Sequence, residues 1–454
     1  MCDQLRFPVE QFTTENHGEF VCRAWRNIVY CASPAEDIQH LHLFAPECYF
    51  EGGSINGYSL HTAPIFLPNR VGGYMPGLPG EPALNDNGTP NTVLAALMHG
   101  YVVCCPGIRG RATATGKAPA LIVDMKAVVR YLRHNTALIP GDTEKMITSG
   151  TSAGGALSAL TGASGNAAEY EPYLKAIGAA KERDDVFAAN CYCPIINLEN
   201  ADSAYEWQFS EERSYRGWRN FGEMSDEQMV LAQQLKAQFP SYLNGLALQD
   251  ENGHALTLAA DGTGSFLEYV KQYVLRSAQK ELDTHDSAER LHWLSVPGSK
   301  VEEQPYLTIN NGKVVDINWP AFVHAITRMK QTPAFDALDP SSPENDEFAL
   351  PGEKPRHFTA FGKENSAVNG GMAEADVIRL LNPMEQLNAP GLTRNWRIRH
   401  GAYDRDTSLA ISAMLVVSLR MRGCQVDYHL PWGLPHSGDY DLHELFAWID
   451  GLCK

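Results

Sequence analysis

The chain lacks several features that would each have pointed to a class of protein. No stretch approaches the 18 or so consecutive apolar residues of a membrane-spanning helix, so the membrane is not an expected partner. No Lys/Arg-rich run is available to neutralise phosphates, and 37 basic against 54 acidic residues leave a formal charge of -17, which makes nucleic acid a poor partner too. Ten cysteines in 454 residues are too dilute for a disulfide scaffold, and no C-x-x-C pair suggests zinc or redox chemistry. Cys104, Cys105, Cys191 and Cys193 fall in apolar runs and read as buried thiols behaving as small hydrophobes. The first ten residues mix charge and polarity where a secretory leader needs an apolar run. The cytoplasm is therefore the expected compartment, although a chain trimmed of its leader would read the same. Internal repeats and low-complexity tracts are also missing.

Hydrophobic residues at 44% and charged residues at 20% are ordinary globular values, so a large core can be buried. The length exceeds a typical single domain, but α/β enzymes often carry a large insertion within one core, and a monomer is the expected state. Residues 1–60 alternate apolar and polar groups and read as antiparallel strands. Strands and helices then alternate: a strand at 64–68, a glycine-rich loop at 71–77, a helix at 91–99 and a strand at 101–105. A helix at 120–134, a strand at 145–149 ended by Gly150, an Ala/Gly-rich helix at 152–162 and a strand within 185–196 follow. That order predicts a mostly parallel sheet flanked by helices. Between 197 and 385 the alternation stops, and the segment reads as an inserted cap, with 336–355 as a loop or lid edge. The catalytic core is then 1–196 and 386–454, its second part reading as a strand at 396–400, a helix at 407–422, a strand at 426–431 and a helix at 439–452.

Gly150-Thr151-Ser152-Ala153-Gly154-Gly155 fits G-x-S-x-G between a predicted strand and a predicted helix. In an α/β-hydrolase this turn projects a nucleophilic serine above the sheet; the competing reading is a glycine-rich helix start with Ser152 as its cap. A serine hydroxyl is a weak nucleophile and needs a base held in the right tautomer by an acid, and in this fold the chain order is Ser, acid, His. His436 is the histidine placed in the loop after the last strand; His429 falls within that strand and His443 within the last helix. Asp404 and Asp406 compete as the acid. Asp406 directly precedes a helix and suits an N-cap, which favours Asp404. Donors for the oxyanion would come from the N–H of Ala153 and of Gly72 or Gly73.

Val71 to Gly77, Gly150 to Ser158, Trp396 to Ala402 with Asp404 to Asp406, and Pro431-Trp432 with Pro435 to Asp441 resemble, in the same order, motifs of the bacterial tannases. Residues 333–339 and 342–345 extend the likeness into the inserted segment. The resemblance implies an α/β-hydrolase fold, galloyl esters as substrates, no metal or organic cofactor, and a triad of Ser152, Asp404 and His436. It further implies that Lys330, Glu344 and Asp406 contact the three phenolic hydroxyls of gallate. On their own these three would read as a solvated lysine, an acid in a first helical turn, and a cap. Fungal tannases and many feruloyl esterases join cysteines beside the triad Asp and His; Tyr403 and Pro435 stand there instead, which argues against that branch. A feruloyl or general carboxylesterase would share the triad without needing the three galloyl contacts, and a non-catalytic binding protein of this fold would usually lack a triad member.

Overall fold

A computed structural model describes residues 4–217, 220–284 and 306–454; positions 1–3, 218–219 and 285–305, the last two inside the expected cap, lie outside that description. Nine strands form one mixed sheet. β1 (Thr13–His17), β2 (Phe20–Val29) and β3 (His40–Pro46) run antiparallel to their neighbours, and β3 pairs antiparallel with β5 (Val102–Pro106). β5 leads into a parallel block with β4 (Pro64–Pro68), β6 (Asp142–Thr151) and β7 (Ala188–Tyr192). Three two-stranded ribbons lie outside the sheet: β8 (Ser214–Arg216) with β9 (Phe221–Glu223), β10 (Leu307–Asn310) with β11 (Lys313–Ile317), and β12 (Arg356–His357) with β13 (Gly371–Met372). β14 (Asn395–Arg399) and β15 (Gln425–His429) complete the sheet, in the order β1-β2-β3-β5-β4-β6-β7-β14-β15. Residues between β7 and β14 thus supply none of its strands.

The parallel strands are apolar on both faces because helices cover both, and β4, β5 and β7 are buried almost end to end. The helix Ala120–His134 matches the sequence reading, and Asn91 caps Thr92–Met98 by accepting the N–H of Leu94 at 2.9 Å. Three elements differ. Gly150 does not end β6, because pairing of Gly150 with Cys191 and Thr151 with Tyr192 carries the strand two residues further. The 336–355 stretch is not all loop: Ser342 and Asn345 form a capping box that starts the helix Pro343–Glu347. Asp406 is not the cap of the next helix, Leu409–Met421; Ser408 is, its side chain accepting the N–H of Ala410. Among the described residues no helix is long and apolar enough to cross a membrane.

Candidate active site

Ser152 sits on the sharp turn between β6 and the helix Ala153–Ala163, with φ 62° and ψ -122°. A side chain at positive φ costs about 1–3 kcal/mol and persists only where the surroundings over-determine it. Here its N–H donates to the Tyr192 carbonyl at 3.0 Å, and its own carbonyl accepts from Ala156 at 2.9 Å and Ile195 at 3.3 Å. Below the turn, Asn69 at the end of β4 donates through Nδ2 to the carbonyls of Ser149 and Gly154, each at 3.0 Å. That approach requires glycine at 154, where a Cβ would lie 2.5 Å from Asn69 Oδ1.

His436 Nε2 lies 2.8 Å from Ser152 Oγ, and His436 Nδ1 lies 2.7 Å from Asp404 Oδ2. The loops carrying the two partners are bonded to each other. Ala402 N–H donates to Pro431 O at 2.9 Å and Tyr403 N–H to Leu434 O at 3.0 Å, and a Cβ on Gly401 would stand 2.1 Å from Leu434 O. Further along the histidine loop, Asp441 ion-pairs with the buried Arg397 of β14 and accepts the Tyr192 hydroxyl at 2.5 Å, fixing the loop to the ends of β7 and β14.

Asp404 is fully buried. Its Oδ1 accepts the N–H of Asp406 at 2.7 Å and of Thr407 at 3.3 Å, while the equally buried His400 brings Nε2 to 3.0 Å from Oδ2. Burial alone would raise this carboxyl, but His436 and His400 outweigh it and hold the group far below the usual carboxylate range. Burial works against a charged His436 ring, yet the Asp404 carboxylate more than offsets it, so the imidazolium is favoured. A base can accept the Ser152 proton only when neutral, so kcat/KM should fall as the pH drops through the His436 value. Because that value is raised, the acid limb of a kcat/KM profile is expected above the ordinary histidine value of about 6.5; a limb at or below that value would contradict the assignment.

Asp406 turns its carboxylate to Lys330, whose Nζ lies 3.0 Å from Oδ1 and 3.9 Å above the Phe335 ring. Lys330 keeps 22% of its side chain exposed and Asp406 13%, so an entering molecule can reach both. Glu344, in the first turn of Pro343–Glu347, is buried. Burial pushes its carboxyl up, partly countered by Lys330; burial pushes Lys330 down, but Asp406 and Glu344 leave it raised. Lys330 is therefore a cation held between two acids. Its segment is anchored by a buried ion pair between Arg328 and Glu206 of the helix Leu198–Phe209, 2.7 Å apart. From the same helix, the Tyr205 hydroxyl accepts the N–H of Met329 at 3.0 Å and of Lys330 at 3.1 Å, and donates to the Arg405 carbonyl at 2.8 Å. One phenol thus ties the Lys330 segment to the Asp404 turn.

The loop after β4 is not a plain turn. Gly73 has φ 54°, and its carbonyl and that of Tyr74 are taken by Arg111 side chain and backbone, each at 2.8 Å, while Gly72 O accepts from Met75 at 2.9 Å. With the carbonyls engaged, no acceptor among the described residues takes the N–H of Gly72 or Gly73. Ala153, as first residue of its helix, has no carbonyl one turn earlier to accept its N–H. A cavity of about 100 Å³ lined by Gly217, Met329, Tyr403, Arg405, Pro435 and His436 opens beside the histidine. A larger one of about 660 Å³, near Glu199 and Phe361, has no triad residue in its walls, so volume alone does not locate the chemistry.

Sequence reasoning did not single out Asn69, Tyr205, His400 or Cys193 as site neighbours. Cys193 is buried, as its apolar run suggests, but its thiol donates to Ser437 O at 3.4 Å, next to the histidine. Of these four, only Asn69 carried any signal, as a polar group directly after the apolar run of β4.

The BD-FAE family model matches residues 79–236. Against curated protein sequences no match is found. Among solved structures, a tannin acyl hydrolase in complex with ethyl gallate is 44% identical with a TM-score of 0.93, covering 99% of each chain. A tannase from Lactobacillus plantarum is 43% identical with a TM-score of 0.91, covering 99% of this chain and all of that one. A Fusobacterium nucleatum tannase is 42% identical with a TM-score of 0.93 over 99% of both. With identity above 40% along essentially the whole length, and an α/β-hydrolase sheet beneath it, this chain belongs to the tannase family.

Proposed function

We propose that the protein hydrolyses galloyl esters and depside bonds of hydrolysable tannins, and simple gallate esters, releasing gallic acid through an acyl-enzyme. The observation that carries this reading is the turn 404–407. There the carboxylate facing His436 accepts the N–H of Asp406 at 2.7 Å, while Asp406 faces Lys330 at 3.0 Å. The orienting acid and a charged wall for phenolic hydroxyls are two residues apart and bonded. Relatives similar over 99% of their length have been solved with ethyl gallate and with 3,4-dihydroxybenzoate.

In this mechanism His436 Nε2 takes the Ser152 proton as Oγ attacks the galloyl carbonyl. The N–H groups of Ala153 and of Gly72 or Gly73 donate to the oxyanion, and the imidazolium returns its proton to the leaving alcohol. Water then repeats the sequence on the acyl-enzyme and frees gallate, regenerating the serine. No step calls for a metal or organic cofactor. Two carboxylates, Glu344 and Asp406, accept from phenolic hydroxyls, and Lys330 donates to one; such charge-assisted bonds exceed neutral ones. Segment 197–385 acts as a cap over the core formed by 1–196 and 386–454, and supplies Lys330 and Glu344 to the pocket.

A pocket built from buried charge penalises a ring without matching hydroxyls, because its own groups are left unpaired. Methyl gallate should therefore exceed methyl ferulate in kcat/KM by at least about 10²-fold; preference for the ferulate would transfer the chain to a feruloyl esterase reading. Glu344→Gln and Lys330→Ala should each lower kcat/KM on methyl gallate by about 10- to 100-fold, the worth of one hydrogen bond to a charged group. The same variants should leave methyl benzoate nearly unchanged. Equal losses on both esters would mean that these residues do not read the phenolic edge.

A further inference from the structure

Among the described residues, two groups of His, Cys and carboxylate side chains bring three ligand atoms within 4.8 Å of one another. One is Glu15, His17 and Cys22 on the β1–β2 hairpin; the other is Cys193, Asp404 and His436. The second lies on the reaction centre, yet the ester chemistry has no use for its thiol. We propose that Cys193, His436 and Asp404 form an inhibitory site for a thiophilic divalent cation, Zn²⁺ or Cd²⁺, whose reversible binding switches the esterase off. The proposal rests on His436 being the working base.

The donor set suits such a metal. One sulfur, one imidazole nitrogen and one carboxylate oxygen are the donor types that borderline-soft Zn²⁺ binds, at about 2.3, 2.0 and 2.1 Å respectively. Ligand atoms around a tetrahedral ion then stand about 3.3–3.6 Å apart. The His436 to Asp404 contact, now 2.7 Å, has to open by less than an ångström, and the thiol, which lies within 4.8 Å of the other two ligand atoms, has to close in by up to about 1.5 Å. A buried dication is costly unless compensated. Here Asp404 and a Cys193 thiolate supply two negative charges, so the loaded site is neutral. In the free protein the Cys193 thiol donates to Ser437 O at 3.4 Å.

The proton balance explains the inhibition. On binding, the Sγ–H bond breaks, its proton passes to solvent and the sulfur pair goes to the metal; a protonated His436 also gives up the proton on the nitrogen that binds, so one proton leaves per ion from a neutral ring and two from an imidazolium. The ion takes Nδ1, the nitrogen that faces Asp404, so the ring carries its proton on Nε2, pointed at Ser152. That arrangement leaves the serine without a base. No electron is transferred, and a chelator reverses the state.

The test uses the full chain and avoids catechol esters, which bind metals themselves. Cd²⁺ is titrated while the thiolate-to-cadmium ultraviolet band is followed, and a fluorophosphonate probe then reads Ser152 reactivity at each metal concentration. The expected result is a band that saturates together with slowed labelling, both reversed by EDTA. Cys193→Ser should label at the normal rate without metal. It should need at least about tenfold more Cd²⁺ for the same slowing, since loss of even an outer-shell partner costs 10–100-fold in metal affinity. Cys22→Ser, which removes the hairpin group, should remain as sensitive as the parent. Should Cys193→Ser misfold by circular dichroism, Cys193→Ala takes its place. Unslowed labelling of the parent, equal sensitivity of the Cys193 variant, or loss of sensitivity in the Cys22 variant would each overturn the proposal. A serine that never labels while the band still forms would instead count against the triad.

Discussion

Replacing Ser152 by alanine is expected to reduce kcat for methyl gallate by about 10⁶-fold, roughly 8 kcal/mol of lost transition-state stabilisation. The size follows from the geometry. His436 is aimed at Ser152 Oγ at 2.8 Å, and the strained turn at φ 62° has no other reacting group to offer. With the hydroxyl gone, donors to the oxyanion and the pocket for the ring stay in place, so a residual acceleration of about 10³–10⁴ over water should persist. Pre-steady-state hydrolysis under saturating ester separates the two contributions. Burst release of methanol by the alanine variant, or a kcat within a factor of ten of the parent, would remove Ser152 from the mechanism.

Asp404→Asn should cost about 10⁴-fold in kcat while leaving the fold and KM close to the parent. The two ends of an asparagine are not equivalent here. The N–H groups of Asp406 and Thr407, at 2.7 and 3.3 Å from Oδ1, demand an acceptor, so the amide oxygen must face them and its NH₂ must face His436. The imidazole then has to accept at Nδ1 and carry its proton on Nε2, directed at the serine it should deprotonate. His400, 3.0 Å from the same position, offers no escape, because it presents a second ring nitrogen to the amide. Fluorophosphonate labelling should slow in parallel with turnover. Normal labelling with slow ester hydrolysis would show that Asp404 acts on a later step than base orientation.

The sheet was readable because its information is local. Short continuous apolar runs marked β4 and β7, and a capping asparagine marked Thr92–Met98. Ser152, Asp404 and His436 could be singled out because the fold imposes a chain order and a loop position on each, and the structure brings all three within hydrogen-bond distance. Asp406 misled as a cap because two competent capping residues, Asp406 and Ser408, lie two positions apart, and only the backbone path decides between them. Cys193 could not be distinguished from Cys191 or Cys104 by its surroundings in the chain. Its neighbours at 404 and 436 are set by how the end of β7 meets two loops more than 200 residues away. His400 and Tyr205 were hidden for the same reason. A histidine closing a strand and a tyrosine in a helix look ordinary until tertiary packing supplies a carboxylate for one and a lysine backbone for the other.

The Tyr205 hydroxyl, shared between the amides at 329–330 and the carbonyl at 405, has a practical meaning for anyone retuning this enzyme. On the proposed reading, ring selection and turnover share a common turn, so a substitution at Asp406 is expected to disturb the triad acid as well. Glu344, presented from its own short helix, is on the same reading the position where ring selectivity can be altered without touching the 404–407 turn.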